Sequence, residues 1–120
     1  MIILFTGHRD KICDLRDLEE VHKSFPEATW LCGGARGVDQ SVMDFALKEN
    51  ISMKVVKPDY DKYPGKYAPL ARDKEMVEAA NLVVAFYDGR NTGGTLYTMN
   101  YANKLGKRVL VFVPIDKTIF

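Results

Sequence analysis

Cys32-Gly33-Gly34-Ala35-Arg36-Gly37-Val38-Asp39 joins a short apolar run to the start of an amphipathic one, and its reading decides the fold. A glycine-rich turn between a strand and a helix brings backbone N–H groups close to an anion in front of it. The helix behind it turns its positive dipole end to the same spot. A second turn of this kind, Asn91-Thr92-Gly93-Gly94-Thr95, again follows an apolar run and precedes a helical pattern. One such turn is weak, because glycine also serves tight corners that bind nothing. Two that converge on one sheet edge point to a phosphate site.

Working outward, apolar runs at 2–6, about 29–32, about 51–56, 82–86 and 108–113 are short, rich in β-branched or aromatic residues, and bounded by turn residues. They predict five strands. Between the first two, Ile12, Leu15, Leu18, Val21 and Phe25 recur at steps of three and four, the stripe of an amphipathic helix stopped by Pro26. A second helix begins near Val38 or Asp39, faces the sheet with Val38, Val42, Phe45 and Ala46, and ends about Glu49-Asn50. A third runs from Pro69 to Ala80, with Leu70, Met76, Val77 and Ala80 on its apolar side and Pro69 suited to its first turn. A fourth follows Thr95, with Leu96, Met99, Ala102 and Leu105 on its buried face and Gly106 as a left-handed cap.

Strict alternation of strand and helix predicts an α/β fold, a three-layer Rossmann-like sandwich. Its five-stranded parallel sheet has the order 3-2-1-4-5, with helices on both faces. Ligands bind where the chain reverses direction across such a sheet. The loops there are Thr6-Gly7-His8-Arg9-Asp10, the first glycine turn, and Tyr87 to Thr95. Lys57 to Lys66 leaves the third strand at the same edge. Tyr60 and Tyr63 in that stretch, and Tyr67 just after it, are interleaved with Asp59, Asp61, Lys62 and Lys66, a composition suited to stacking on a base.

A length of 120 residues and 47% hydrophobic content fit one domain over residues 1–120, with no room for a second. The 17 basic and 16 acidic residues are mixed along the chain, for a net charge of +1, which argues against a general nucleic-acid coat. Met1-Ile2-Ile3-Leu4-Phe5 lacks a basic leader and breaks at Thr6-Gly7, so it reads as a buried strand rather than a signal peptide or membrane span. Cys13 and Cys32 have no metal-like spacing and point to reduced thiols in a cytoplasmic protein. No metal or other cofactor is expected, because no cluster of His, Cys, Asp and Glu has ligand spacing. A small sheet with exposed edges favours a homodimer, and Trp30 reads as core or dimer contact.

Several side chains have both a chemical and an ordinary use. The planar fork of Arg36 suits a phosphate, or it pairs with Asp39 or water. Asp39 is placed for catalysis, and equally for capping its helix. Arg72, near the start of a helix, opposes that helix's dipole, which makes an anionic partner attractive. His8 and Arg9 follow the first strand, where a base or ribose would lie. Asp88 directly follows the fourth strand and serves either as general acid or base or as the cap of the Asp88-Gly89 turn. Cys32 is a thiol beside a helix N-terminus, or an inert buried one. The candidate ligand and phosphate residues are Gly7, His8, Arg9, Gly33, Gly34, Arg36, Gly37, Arg72, Gly93, Gly94 and Thr95. Arg72, Asp88 and Asp39 are the candidates for catalysis.

Leu31 to Asp39, followed by Phe45-Ala46-Leu47, resembles the signature Ser-Gly-x-Ala-x-Gly-x-Asp, then Ala-Leu, of DNA-processing protein A. Asn91 to Thr95 resembles the Gly-Gly-Thr turn which that protein shares with the LOG cytokinin-activating phosphoribohydrolases, so the chain resembles the SLOG superfamily. Pro58-Asp59-Tyr60, Tyr63, Gly65-Lys66, Ala68-Pro69 and Arg72 to Met76 are similar to its short stand-alone YAcAr-like branch of bacteria and phages. The resemblance runs from Thr6 to about Val111.

It implies a nucleotide or nucleotide-derivative site, ADP-ribose included, with Gly33, Gly34, Gly37, Gly93, Gly94 and Thr95 around the phosphate and Arg72 at the family arginine. Enzymatic LOG members also use a glutamate, and its position is Thr98 here. A threonine hydroxyl cannot stabilise an oxocarbenium-like centre or activate water as a carboxylate does. The segment Tyr87 to Thr95 with Leu105-Gly106-Lys107 also resembles nucleoside deoxyribosyltransferases, whose nucleophilic glutamate is missing at the same place. The expected function is a nucleotide-binding domain acting as sensor or ligand carrier. One alternative is a nucleoside-monophosphate N-glycosidase of the phosphoribohydrolase type, with Asp39 or Asp88 replacing the glutamate. Another is single-stranded DNA binding like that of DNA-processing protein A, against which the near-neutral charge counts.

Overall fold

In chain order the elements are β1 (Ile2–Gly7), β2 (Lys11–Ile12), α1 (Leu15–Ser24), β3 (Thr29–Cys32), α2 (Val38–Lys48) and β4 (Met53–Val55), followed by α3 (Tyr67–Ala79), β5 (Leu82–Phe86), α4 (Gly94–Lys104), β6 (Arg108–Phe112) and β7 (Ile115–Asp116). This computed structural model describes residues 1–117. The main sheet has five strands in the order β4-β3-β1-β5-β6. Every neighbouring pair in it is parallel. With β2 and β7 set aside, this is the expected 3-2-1-4-5 order.

The pleat divides the core into two layers. Ile3, Phe5, Trp30, Leu82, Val84 and Phe86 face one side and pack against Leu18 and Val21 of α1 and Val42, Phe45 and Ala46 of α2. Leu4, Leu31 and Val83 face the other, against Met76 and Val77 of α3 and Ala102 of α4. A strand covered on both faces is apolar at every position, as β5 is. Trp30 belongs to the core: it is fully buried and stacks on Phe45 with ring centroids 5.6 Å apart.

The structure moves several sequence-based boundaries. Ile12 belongs not to the first helix but to β2, which pairs antiparallel with β7 through Lys11–Asp116 and Ile12–Ile115. Leu15, expected on the buried stripe, is exposed at the start of α1, which Asp14 caps by accepting from Arg16 N–H at 3.0 Å. The third helix begins at Tyr67 rather than Pro69, which the proline tolerates because the first N–H groups of a helix have no intrahelical partner. The buried face of α4 is Thr95, Thr98 and Ala102, not the line of Leu96, Met99 and Leu105. Small side chains let this helix approach the sheet closely, and Leu105 is left 43% exposed. No helix among the described residues is long and apolar enough to cross a membrane.

Gly37 fixes the position of α2. It has a φ of 74°, a region L side chains rarely adopt, and Val38 N–H donates to the His8 carbonyl at 3.2 Å. A Cβ at Gly37 would lie 2.4 Å from the Arg9 carbonyl oxygen and 2.5 Å from that of His8. Strain and backbone overlap add, so Gly37→Ala lowers unfolding free energy by about 2–4 kcal/mol. Gly89→Ala has the left-handed strain with open space in front, and loses only about 1–2 kcal/mol. Urea denaturation of the two variants compares them; equal losses would show that the contact with the loop after β1 is soft.

Candidate functional site

The carboxyl ends of β1 and β3, the loop after β5 and one face of α3 enclose a cleft of about 490 Å³. Both glycine turns reach it, the first through Gly33 and Ala35, the second through Thr92, Gly93, Gly94 and Thr95. So do Gly7, His8, Arg9, Asp39 and Arg72 among the residues expected from the sequence. The parallel sheet explains this convergence: it sends every strand-to-helix loop to the same edge, and the reversal about β1 opens a crevice there.

The first turn is already filled from within. Asp39, 7% exposed, accepts a hydrogen bond from Ala35 N–H at 3.1 Å through Oδ2. Its carboxyl thus takes a place that an anionic ligand would otherwise take. Burial pushes the Asp39 pKa up to about 6, against the opposing pull of the Ala35 N–H and Arg72, and nearby Asp73 adds to the rise.

Arg72 crosses directly over this turn. Its Nη1 donates to the carbonyls of Gly33 at 2.9 Å and Val56 at 3.2 Å, and its Nε to Asp73 Oδ1 at 2.8 Å. Gly33 leaves the space for this, because a Cβ there would lie 2.5 Å from Nη1. Nη2 has no protein acceptor among the described residues, so one edge of the fork remains for a ligand. Replacing Arg72 would therefore disturb the floor as well as any ligand contact, and would leave Asp73 buried without its partner. Burial raises the Asp73 pKa, against the opposing effect of Arg72.

The second turn is open. Gly93, with a φ of 112°, is the N-cap of α4, and no side chain caps that helix. The first N–H groups of α4 thus lack a side-chain acceptor, and Gly93 and Gly94 line the cleft. Arg90 stands beside them, held by Asp88 on one side and Asp10 on the other, with 2.6 and 2.9 Å contacts from Nη2. Asp88 is not placed as an acid: Arg90, first through its side-chain hydrogen bonds, holds its carboxyl far below the usual range. It also caps its own turn, accepting from Arg90 N–H at 3.2 Å. His8 is 5% exposed, and its Nε2 accepts from Asp88 N–H at 3.2 Å. Desolvation, then Arg90, lowers its pKa, so the imidazole is neutral with its proton on Nδ1. The 3.1 Å approach of Nε2 to Asp88 Oδ1 is accordingly not an ion pair.

Other expected members lie elsewhere. Arg36 is exposed and lines a separate depression with Gln40, Ser41 and Asp44, because Gly37 turns the chain away from the cleft before α2 begins. Gly34 faces Val55 and Lys57. Gly37 packs on the loop after β1, and Gly7 against Val38, so both serve close backbone packing. None of Tyr60, Tyr63 and Tyr67 lines the cleft; Lys62 lies over the Tyr63 ring and Lys66 over that of Tyr67. The apolar wall is instead Pro69, Leu70 and Met76 of α3. Cys32 is an inert thiol, its pKa pushed up to about 12 by burial. Sequence reasoning missed Asp73, Arg90 and Asp10. A signal existed for Asp73, since Arg72-Asp73 places opposite charges together one turn before the apolar Met76-Val77. Nothing in sequence pairs Asp10 with a residue eighty positions away.

The architecture is similar to that of a predicted subunit of a tRNA methyltransferase from Methanocaldococcus jannaschii, with a TM-score of 0.50 at 9% identity, covering 100% of this chain and 71% of that one. At such identity the likeness establishes the Rossmann-like fold alone. No family model and no curated protein matches the chain.

Asp39 gives the site a pH signature. Its folded pKa of about 6 exceeds the ordinary carboxylate value, so the fold favours the protonated form. That advantage is complete below about pH 4, declines as the unfolded chain ionises, and is gone above about pH 6. It amounts to at most about 3 kcal/mol. Asp39→Asn keeps an acceptor for Ala35 N–H and removes the titration. Between about pH 4 and pH 7.5 the variant gains up to about 3 kcal/mol relative to wild type in urea denaturation; a constant difference would mean that the carboxyl titrates normally.

Proposed function

We propose that this is a nucleotide-binding domain, a sensor or carrier for a nucleotide or nucleotide derivative such as ADP-ribose. The observation that carries the reading is the uncapped N-terminus of α4, facing a cleft of about 490 Å³ that Arg9, Arg72 and Arg90 also line. Backbone donors at a helix N-terminus and planar guanidinium groups suit a phosphate. A cavity of this size suits a mononucleotide. The apolar wall of Pro69, Leu70 and Met76 offers a surface for a base. This reading agrees with membership of the SLOG superfamily, which the glycine turns support. Exposed Val111 in the edge strand β6, and Val113 just after it, support the expected homodimer.

Thermal-shift titration with nucleoside monophosphates, ADP-ribose and a short single-stranded oligonucleotide tests it. A mononucleotide or ADP-ribose at about 100 times its Kd adds roughly 2.7 kcal/mol of stability. Gly94→Ala abolishes that response with little loss of stability, because its methyl group meets only Asp73 Oδ2, at 3.7 Å, and both residues line the cleft. Arg90→Ala weakens the response at least tenfold in Kd, the scale of a lost charge-assisted hydrogen bond. A shift by the oligonucleotide alone would replace this reading with DNA binding.

One observation favours a second reading, hydrolysis of the N-glycosidic bond of a nucleoside monophosphate. Asp39 lines the same cleft with a pKa raised to about 6, within the range of a general acid or base near neutral pH. Release of free base on incubation with nucleoside monophosphates, followed by chromatography, is its expected mark.

A further inference from the structure

We propose that Asp73 is the carboxylate that activates water against the glycosidic carbon of a nucleoside 5′-monophosphate bound in the cleft; this rests on the hydrolase reading above. Asp73 is 8% exposed, yet only one of its oxygens is engaged. Arg72 Nε holds Oδ1 at 2.8 Å, and Oδ2 has no protein donor among the described residues. That free oxygen lies beside the open turn, since a Cβ at Gly94 would stand 3.7 Å from it. Pro69, Asp73 and Met76 are four and three residues apart on α3, so they share the face that lines the cleft. Asp73 therefore lies between an apolar wall suited to a base and backbone donors suited to a phosphate. In a nucleoside monophosphate the bond between base and sugar occupies that interval.

Charge assigns the roles. Asp39 and Asp73 face one cavity and share one guanidinium, which hydrogen-bonds only Asp73. The Arg72 hydrogen bond favours the negative charge on Asp73, and Asp39 carries its proton below about pH 6, as in other carboxyl pairs with unequal surroundings. In the step, water gives its proton to Asp73 Oδ2 as its oxygen bonds to C1′. The C1′–N bond breaks with its electron pair going to the base, which takes the proton of Asp39. One water is consumed, free base and ribose 5-phosphate leave, and exchange with solvent returns both carboxyls to their starting states.

The test incubates the full chain with AMP, CMP, GMP and UMP and quantifies free base and ribose 5-phosphate, with binding measured separately by thermal shift. Asp73→Asn keeps an acceptor for Arg72, and is expected to lower kcat by at least about 100-fold while KM stays within about threefold. Added formate, a small carboxylate, restores turnover to Asp73→Ala; where the Asn variant fails to fold, this comparison with and without formate is read alone. Asp39→Asn removes the alkaline limb of the pH profile and leaves the formate effect intact. If Asp73→Asn raises KM with kcat unchanged and formate has no effect, Asp73 only positions Arg72: the proposal falls and the hydrolase reading stands. Binding without any base release by the wild type overturns both and leaves the binding domain.

Discussion

A single, largely enclosed guanidinium holds the floor of the cleft together. Arg72 reaches from α3 to the carbonyls of Gly33 and Val56, which directly follow two neighbouring parallel strands, and to its own neighbour Asp73. Burying a charge is costly unless hydrogen bonds replace water, and here three acceptors do so. The arrangement in turn requires that residue 33 have no side chain. A residue that looks like a free ligand for phosphate is thus largely a structural tie with one edge left over.

The two glycine turns resemble each other in sequence and differ in what their donors do. At the first, the carboxyl of Asp39 lies over the backbone N–H of Ala35, so the turn's own helix supplies the anion. At the second, the first turn of α4 carries Gly94, Thr95 and Leu96 where a capping acid would stand, and the donors stay open. Excess acid buried beside one guanidinium, next to an unfilled anion site, makes the cleft electrostatically uneven. Burial gives Asp39 its raised proton affinity, and the neighbouring Asp73 adds to it.

Much of the architecture was legible in the chain. Five short apolar runs, four amphipathic stretches and their alternation led to the sheet order that the structure has, because βαβ connections allow few arrangements. Fully apolar β5 could be read as the middle of a sheet covered on both sides. On α4, hydrophobicity alone favours Leu96, Met99 and Leu105 as the buried face, whereas close packing against the sheet selects Thr95, Thr98 and Ala102. The β2–β7 ribbon is not legible in the sequence, since each strand is two residues long, below any periodic signal, and Ile12 fits a helical stripe equally well.

For the candidate site, local sequence determined which residues are chemically capable and to which edge of the sheet they go: the glycine turns, Arg72, Asp39, and the loop after β1. Tertiary structure alone decided which of them face the cleft. Arg36 and Gly37 lie in the same turn as Gly33, yet a left-handed φ at Gly37 sends Arg36 outward. Arg90 meets Asp10 across eighty positions, and Asp73 meets Gly94 across the α3–α4 interface. Periodicity and propensity act over a few neighbouring residues, so they set elements and edges; charge pairing and burial act through space, and only the packed chain sets them.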